Sequence, residues 1–342
     1  MRQIFFNLIF MIYTGLRLYA QDPHLSQFFS APHFNNPALT GTQFGDWAVM
    51  GNIRQQWGNA STPFNTQVLA ADVKLFQNEN EESGGYLALG ANLMNDQTFN
   101  GVFRSNYASG SIAYHKKLSR NHRLAAGFSG SYNQRRLDYS RLTFSNQFTG
   151  RGFDLAVANG ETSLSDMKPF FSLGAGLLYT YIMNNGDLLM DVGLAAYDIN
   201  RPTVSFLQSD NQLNMRHVGY FNLQSYSRGD QLFYQLSGIF HWQARQNYFA
   251  AGGAMGFNLT GDWQRMFLLG CWFREGDALY PYVALNIKNL QFGLNYDVTY
   301  SKQNLGPSNP RSLELSFVYT GMFSRSAYYD CPYKNRNVRF PD

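Results

Sequence analysis

Residues 290–301 read Leu-Gln-Phe-Gly-Leu-Asn-Tyr-Asp-Val-Thr-Tyr-Ser. Leu290, Phe292, Leu294, Tyr296, Val298 and Tyr300 fall on one side of a period of two. Gln291, Gly293, Asn295, Asp297, Thr299 and Ser301 fall on the other. Successive side chains of a β-strand point to opposite faces, so this alternation predicts a strand with one apolar and one polar face. Residues 312–323 repeat it, with Leu313, Leu315, Phe317, Tyr319 and Phe323 set against Ser312, Glu314, Ser316 and Thr320. Weaker copies lie at 47–57, 66–76, 85–95, 106–117, 122–135, 169–182, 187–198, 214–226, 231–242, 247–258, 264–274 and 279–288. The expectation is an all-β chain, a transmembrane antiparallel β-barrel of about 14 strands. Strands of this length suit a tilted membrane crossing better than the ~5–6 residues usual in soluble sheets.

The connections test that topology. If the first strand starts in the periplasm, the periplasmic turns are 118–121, 184–186, 227–230, 259–262 and 288–289, all short. The outer loops then include 136–168 and 199–213, much the longest, and 302–311. Short periplasmic turns with longer external loops are the pattern of outer-membrane barrels. The acidic stretch 77–84 is the one long turn. Tyr and Phe near strand ends, such as Tyr179, Tyr181, Tyr226, Tyr300 and Phe323, suit interfacial girdles.

Composition agrees. Charged residues make up 15% of the 342, well under the usual ~25%, whereas aromatics reach 16% and glycines number 31. Such a chain is not intrinsically disordered. A net charge of +4, scattered along the sequence, leaves no nucleic-acid footprint. Residues 1–20 begin with Arg2, run apolar from Ile4 to Leu16 and end in a cleavage-like Ala20, the pattern of a signal peptide. Four parts follow: signal peptide 1–20, a periplasmic N-terminal segment 21–46, the barrel 47–323, and a periplasmic C-terminal tail 324–342. Both termini of the mature chain are expected in the periplasm.

The chemistry of enzymes is hard to find. The six histidines form no HExxH and no i, i+4 pair, and Cys271 and Cys331 form no CxxC, so no metal or other cofactor is expected. No nucleophile motif surrounds the serines near His217 and His241, and catalysis is not expected. Gly252–Gly256 lies inside a strand, where small residues ease close packing. Arg216, Arg274, Lys288, Asp297 and Glu314 fall in strands and are expected in the lumen or near the interfaces, because they are costly on the lipid face at mid-depth. A Cys271–Cys331 bridge is one option and a free Cys271 the other.

Residues 22–57 carry a resemblance. Asp22-Pro23, Ser26-Gln27-Phe28-Phe29, Asn36-Pro37-Ala38-Leu39-Thr40-Gly41 and Arg54-Gln55-Gln56-Trp57 are similar to the opening of PorP/SprF outer-membrane proteins of the Bacteroidota. Looser likenesses are Tyr114–Leu118, Leu124–Gly127, Trp272-Phe273-Arg274, Gly293–Asp297 and Ser312–Phe317. The resemblance implies a non-enzymatic role in type IX secretion or gliding motility. Its implied partners are outer-membrane lipid, a secreted adhesin or its C-terminal domain, and periplasmic ring or lipoprotein components.

Elementary stereochemistry says what the Asn-Pro-Ala-x-x-Gly element does locally. Pro37 fixes its own φ and pushes Asn36 towards extended geometry, and Gly41 permits a left-handed turn. Asn36, Pro37 and Gly41, together with Arg54 and Trp57 of the similar Arg-x-Gln-Trp element, are candidates either for a lumen plug or for binding a partner. The alternative function is a diffusion channel or hydrophobic-substrate transporter, which a barrel of this size is wide enough to be.

Overall fold

The computed structural model describes residues 24–58, 63–77, 84–160, 167–183, 187–206, 209–227, 231–261, 263–300 and 311–323. The expected signal peptide, the C-terminal tail with Cys331, and most of loop 302–311 lie outside the described residues.

Fourteen antiparallel strands close into a barrel. They are β1 (Trp47–Gln56), β2 (Phe64–Leu75), β3 (Gly85–Thr98), β4 (Phe103–Lys117), β5 (His122–Leu137), β6 (Phe170–Met183), β7 (Leu188–Tyr197), β10 (Arg216–Ser227), β11 (Leu232–Gln243), β12 (Gln246–Asn258), β13 (Arg265–Arg274), β14 (Ala278–Ile287), β15 (Leu290–Thr299) and β16 (Arg311–Gly321). A separate hairpin, β8 (Thr203–Phe206) with β9 (Ser209–Gln212), rises in the loop between β7 and β10. Each barrel strand pairs with its sequence neighbours, and β1 pairs with β16, Trp47 facing Gly321 and Arg54 facing Glu314. All the tight connections of β14–β15, β4–β5 and β12–β13 lie at one end, and the long loops 138–169 and 198–215 at the other.

Burial is inverted relative to a soluble protein. On β15, Val298 is 50% exposed and Phe292 52%, whereas Asn295 and Asp297 are each 1%. The apolar face of the alternation therefore looks out and the polar face in, as lipid outside requires. Phe128, Phe171, Leu177, Leu194, Leu269 and Leu315 are exposed on other strands in the same way. Cys271 lies on this outer face. Arg216, Arg274, Asp297 and Glu314 are buried on the lumen side. Lys288 sits instead at an exposed turn with φ +53°. Tyr226 departs from the girdle expectation: it packs against Phe233 and Trp263, with ring centroids 4.9 and 5.4 Å away.

One side of the lumen is itself a hydrophobic core. Trp272, Tyr280, Tyr282, Leu268 and Ile239 are buried inside the wall. On β13 and β14 both faces are consequently apolar, which is why their alternation is weak in the sequence.

Candidate functional site

The material that this core covers is the chain's own N-terminal segment. From His24 to Asp46 the backbone runs through the lumen, from the long-loop end to the short-turn end. At the start, the His24 ring lies 4.8 Å from His241 and 4.3 Å from Tyr248, and its carbonyl accepts from the Arg54 guanidinium. At the finish, Asp46 N–H donates to Gly321 O (2.8 Å) and its carboxylate accepts from Phe323 N–H (2.9 Å) and Gln77 Nε2 (2.7 Å). The only helical turns in between are 3-10 turns at Pro32–Phe34 and Pro37–Leu39, each opened by the proline. A proline there costs nothing, because the first amide of such a turn has no partner within it.

The upper part is held by charge. Glu314, fully buried, accepts from Ser26 N–H (2.7 Å), Gln27 N–H (3.2 Å) and Asn52 Nδ2 (2.9 Å), and lies 3.9 Å from Arg54 Nε. Asp297 accepts from Ser26 Oγ (2.8 Å), Arg54 Nη2 (3.1 Å), Arg274 Nη2 (3.1 Å) and Asn295 Nδ2 (2.6 Å). Arg274 also donates to Asp277 (2.6 Å) and to Ser26 Oγ (2.7 Å). Gln27 extends the network, donating to Asn295 Oδ1 (2.8 Å) and Glu314 O (3.0 Å) and accepting from Ser316 Oγ. Buried charges survive only when paired and hydrogen-bonded. Here two arginines from β1 and β13 meet two carboxylates from β15 and β16, and Ser26–Gln27 completes the set.

Below the charges comes an aromatic layer. Phe29 packs on Trp272 and Tyr282 with centroids 4.8 and 5.3 Å apart, and Phe28 meets Tyr220 edge-on at 6.5 Å. Offset and edge-to-face contacts of this kind are the favoured ones.

The Asn36–Gly41 element docks on the opposite wall. Asn36 caps the turn by accepting from Ala38 N–H (2.9 Å). Its Nδ2 donates to Leu177 O (3.1 Å) and Leu194 O (3.3 Å) on β6 and β7. The wall is bare where the turn arrives. A Cβ on Gly176 would stand 2.0 Å from Asn36 Oδ1, and one on Gly127 would stand 2.4 Å from the Pro37 carbonyl carbon. Thr40 O then accepts from His115 Nε2 (2.7 Å), and its hydroxyl meets Ser111 Oγ (2.8 Å). Gly41 adopts φ +75°, donates to Asp72 (3.2 Å) and accepts from Tyr86 OH (3.1 Å). His33, fully buried, has Nδ1 3.6 Å from the same Asp72 carboxylate. Burial pushes its pKa below the ordinary 6.5, with Asp72 opposing, so the ring is neutral. A cavity of about 290 Å³ remains beneath the segment at the short-turn end, reached by Lys74, Gln77, Asp191, Asn222 and Gln291.

Of the residues singled out in the sequence, Asn36, Pro37, Gly41 and Arg54 are brought together on this segment and its wall. Trp57 is not: it turns at the long-loop rim with φ +55° and packs edge-on against Phe64 at 5.4 Å. Sequence reasoning missed Ser26, Gln27 and Asn52 as partners of Glu314 and Asp297, and the wall glycines Gly127 and Gly176. The signal was present in the glycines, which occupy inward positions where an alternating strand would carry a polar side chain. All five loosely similar stretches put a residue against the segment: His115, Gly127, Trp272, Arg274, Asn295, Asp297 and Glu314. Among the described residues no group of three or more His, Cys, Asp or Glu is arranged to hold a metal ion.

Comparison with known proteins places this arrangement in context. No curated protein matches the chain. Solved structures to which the chain is similar include the toluene transporter TbuX of Ralstonia pickettii, at 12% identity and TM-score 0.45, covering 84% of this chain and 92% of that one. A mutant of the monoaromatic hydrocarbon channel TodX matches at 9% identity and TM-score 0.49, covering 84% and 92%. The KdgM porin matches at 9% and 0.39, covering 80% and 98%. The family described as type IX secretion system membrane protein PorP/SprF matches residues 18–319. With nearly the whole chain matched and a lipid-facing barrel of fourteen strands, this protein belongs to the PorP/SprF family of type IX secretion outer-membrane proteins.

Proposed function

We propose that the protein is a non-enzymatic barrel of the type IX machinery that supports export or surface anchoring of a cargo adhesin and contacts periplasmic components. In this reading the short-turn end faces the periplasm and the long loops face outwards. The observation that carries it is the occupied lumen. A diffusion channel needs an open bore, whereas residues 24–46 cross this one, fastened at both ends and in the middle. The wall cluster spends its charges on holding a peptide, which is the work of a scaffold. The side that faces the periplasm in this reading retains the 290 Å³ cavity, beside which Asp46 and Phe323 meet, and offers a periplasmic component access.

The test is a pulldown from gently solubilised outer membranes with a tag in loop 138–169, read by mass spectrometry. Stoichiometric recovery of a large secreted adhesin or of periplasmic ring or lipoprotein components is the expected result. The same bait lacking residues 24–46 shows whether the segment contributes to the contact. A barrel that comes down alone and conducts ions steadily in planar bilayers overturns the proposal in favour of a channel.

A further inference from the structure

The outer wall carries a second feature, unrelated to the lumen. At the long-loop end of β2–β5 the outward positions form two cross-strand rows. One is Gln67–Asn95–Asn106–Gln134, and the row beyond it is Asn65–Gln97–Arg104–Arg136. The amides are linked: Gln97 Nε2 donates to Asn95 Oδ1 (2.7 Å) and Asn95 Nδ2 to Asn106 Oδ1 (2.7 Å). Arg104 and Arg136 are exposed and stand directly opposite each other. Like charges facing across a strand pair repel. Among the described residues neither has an acidic partner: Arg104 Nε donates to Gly101 O (3.0 Å), Asp138 is committed to Ser140 (2.6 Å), and Asp96 points inwards to Thr66 (2.6 Å).

The row towards the membrane is apolar, Leu69–Leu93–Ala108–Tyr132. With Gly51 and Ile53 it lines a hollow of about 550 Å³ on the lipid face. The Phe317 ring lies over Gly51 and forms one side of the hollow, and Ala108 lacks the bulk to fill the rest. From the membrane interior towards the rim, the surface therefore presents an apolar hollow, then hydrogen-bonding amides, then two guanidiniums. That order matches an amphipathic ligand with an acyl chain, a polar linker and an anionic head.

We propose that this face is a binding site for a phosphate-bearing membrane lipid, with its acyl chain in the Gly51–Tyr132 hollow and its phosphate between Arg104 and Arg136. Guanidinium suits phosphate because its planar fork donates two parallel hydrogen bonds, and a phosphate there relieves the repulsion of the pair. The leaflet is the one at the long-loop end, so on the orientation proposed above the lipid belongs to the outer leaflet. The binding itself does not depend on that orientation.

The test is native mass spectrometry of the detergent-purified full chain equilibrated with equimolar phosphatidylglycerol and phosphatidylcholine. A second arm uses a phosphorylated glucosamine lipid against its dephosphorylated form. Selective retention of the phosphate-bearing anionic lipid, by about fivefold or more, is expected in at least one arm, and the arm names the source. Arg104→Gln with Arg136→Gln abolishes the selectivity. Arg265→Gln, at the exposed short-turn end of β13, preserves it. Heat-modifiable migration on gels verifies that each variant is folded. Equal retention in both arms, or undiminished selectivity in the double variant, overturns the proposal.

Discussion

Replacing Glu314 by alanine is the sharpest challenge to the account of the lumen. The carboxylate accepts from Ser26 N–H, Gln27 N–H and Asn52 Nδ2, and it faces Arg54 across the β1–β16 pairing. Alanine leaves the buried Ser26 and Gln27 amides without their acceptor, each worth ~1–3 kcal/mol, and takes from Asn52 Nδ2 one of its two acceptors, Ser30 Oγ being the other. It also removes one member of a buried ion cluster, an effect of ~3–5 kcal/mol. The two descriptions overlap, so they are not summed, and ~4 kcal/mol is the expected loss in holding the segment. At tenfold per ~1.4 kcal/mol this raises the population of the released segment by about three orders of magnitude. The assay is hydrogen exchange by mass spectrometry on peptides covering residues 30–42. There the Ser30, Phe34 and Leu39 amides bond to Gln27, Ala31 and Asn36 carbonyls and make no contact with Glu314. Exchange should accelerate by at least ~100-fold there, while β5 and β6 amides remain protected. Glu314→Gln keeps an acceptor oxygen and should accelerate exchange only about tenfold. Unchanged exchange at residues 30–42 in Glu314→Ala would refute the idea that the charge cluster retains the segment.

Further perturbations probe other parts. Gly176→Val places a side chain where Asn36 Oδ1 now lies 2.0 Å from the Cβ position. Overpacking of ~1–3 kcal/mol should displace the turn and raise ion conductance in planar bilayers. Asn36→Ala removes the cap and both bonds to the wall. About 1–2 kcal/mol, or a roughly tenfold faster exchange at residues 36–40, is expected. His33 is buried with its pKa below the ordinary 6.5, so the docked segment is favoured above that pH and loses stability as pH falls through and below it. Exchange of residues 31–36, corrected for the intrinsic rate, should therefore rise between pH 7.5 and 5, and His33→Gln should flatten that dependence. Phe128→Arg puts a charge on a lipid-facing position that is 64% exposed. It should lower unfolding stability by ~2–4 kcal/mol in urea-driven refolding into vesicles, whereas Trp57→Ala should leave exchange of residues 24–46 unchanged.

The barrel was legible because a lipid-facing wall must alternate. Strands β15 and β16, where Asn295, Asp297, Ser312, Glu314 and Ser316 face a polar partner, alternate cleanly. The reading weakened on β13 and β14, where Met266, Leu268, Trp272, Tyr280 and Tyr282 face inwards against an aromatic segment, so that both faces are apolar. The hairpin β8–β9 was invisible because its strands, four residues each, are too short to show a period. Within the site, the extended backbone of Asn36 and the left-handed Gly41 were legible from stereochemistry, whereas the element itself stood out only through its resemblance to the family. The grip on Ser26 and Gln27 was not legible, because it depends on residues up to 288 positions away. The same long range hid the role of the wall glycines. A glycine in a strand declares that something comes close, and only the fold says what.

That separation has a consequence for how the molecule is made. Ser26 precedes every strand of the barrel, and Glu314 lies on the last of them. Arg54 and Glu314 face each other where β1 joins β16, so the joint that shuts the cylinder is built from the residues that receive the segment. A cylinder shut around nothing would strand Glu314 without the Ser26 and Gln27 amides, and the segment without a shut cylinder has no wall on which to rest. Closure and filling thus reinforce each other at the end of assembly, through the most distant contacts in the chain, the kind that form slowest. A chain stopped short of β16 therefore loses its seam and its contents together.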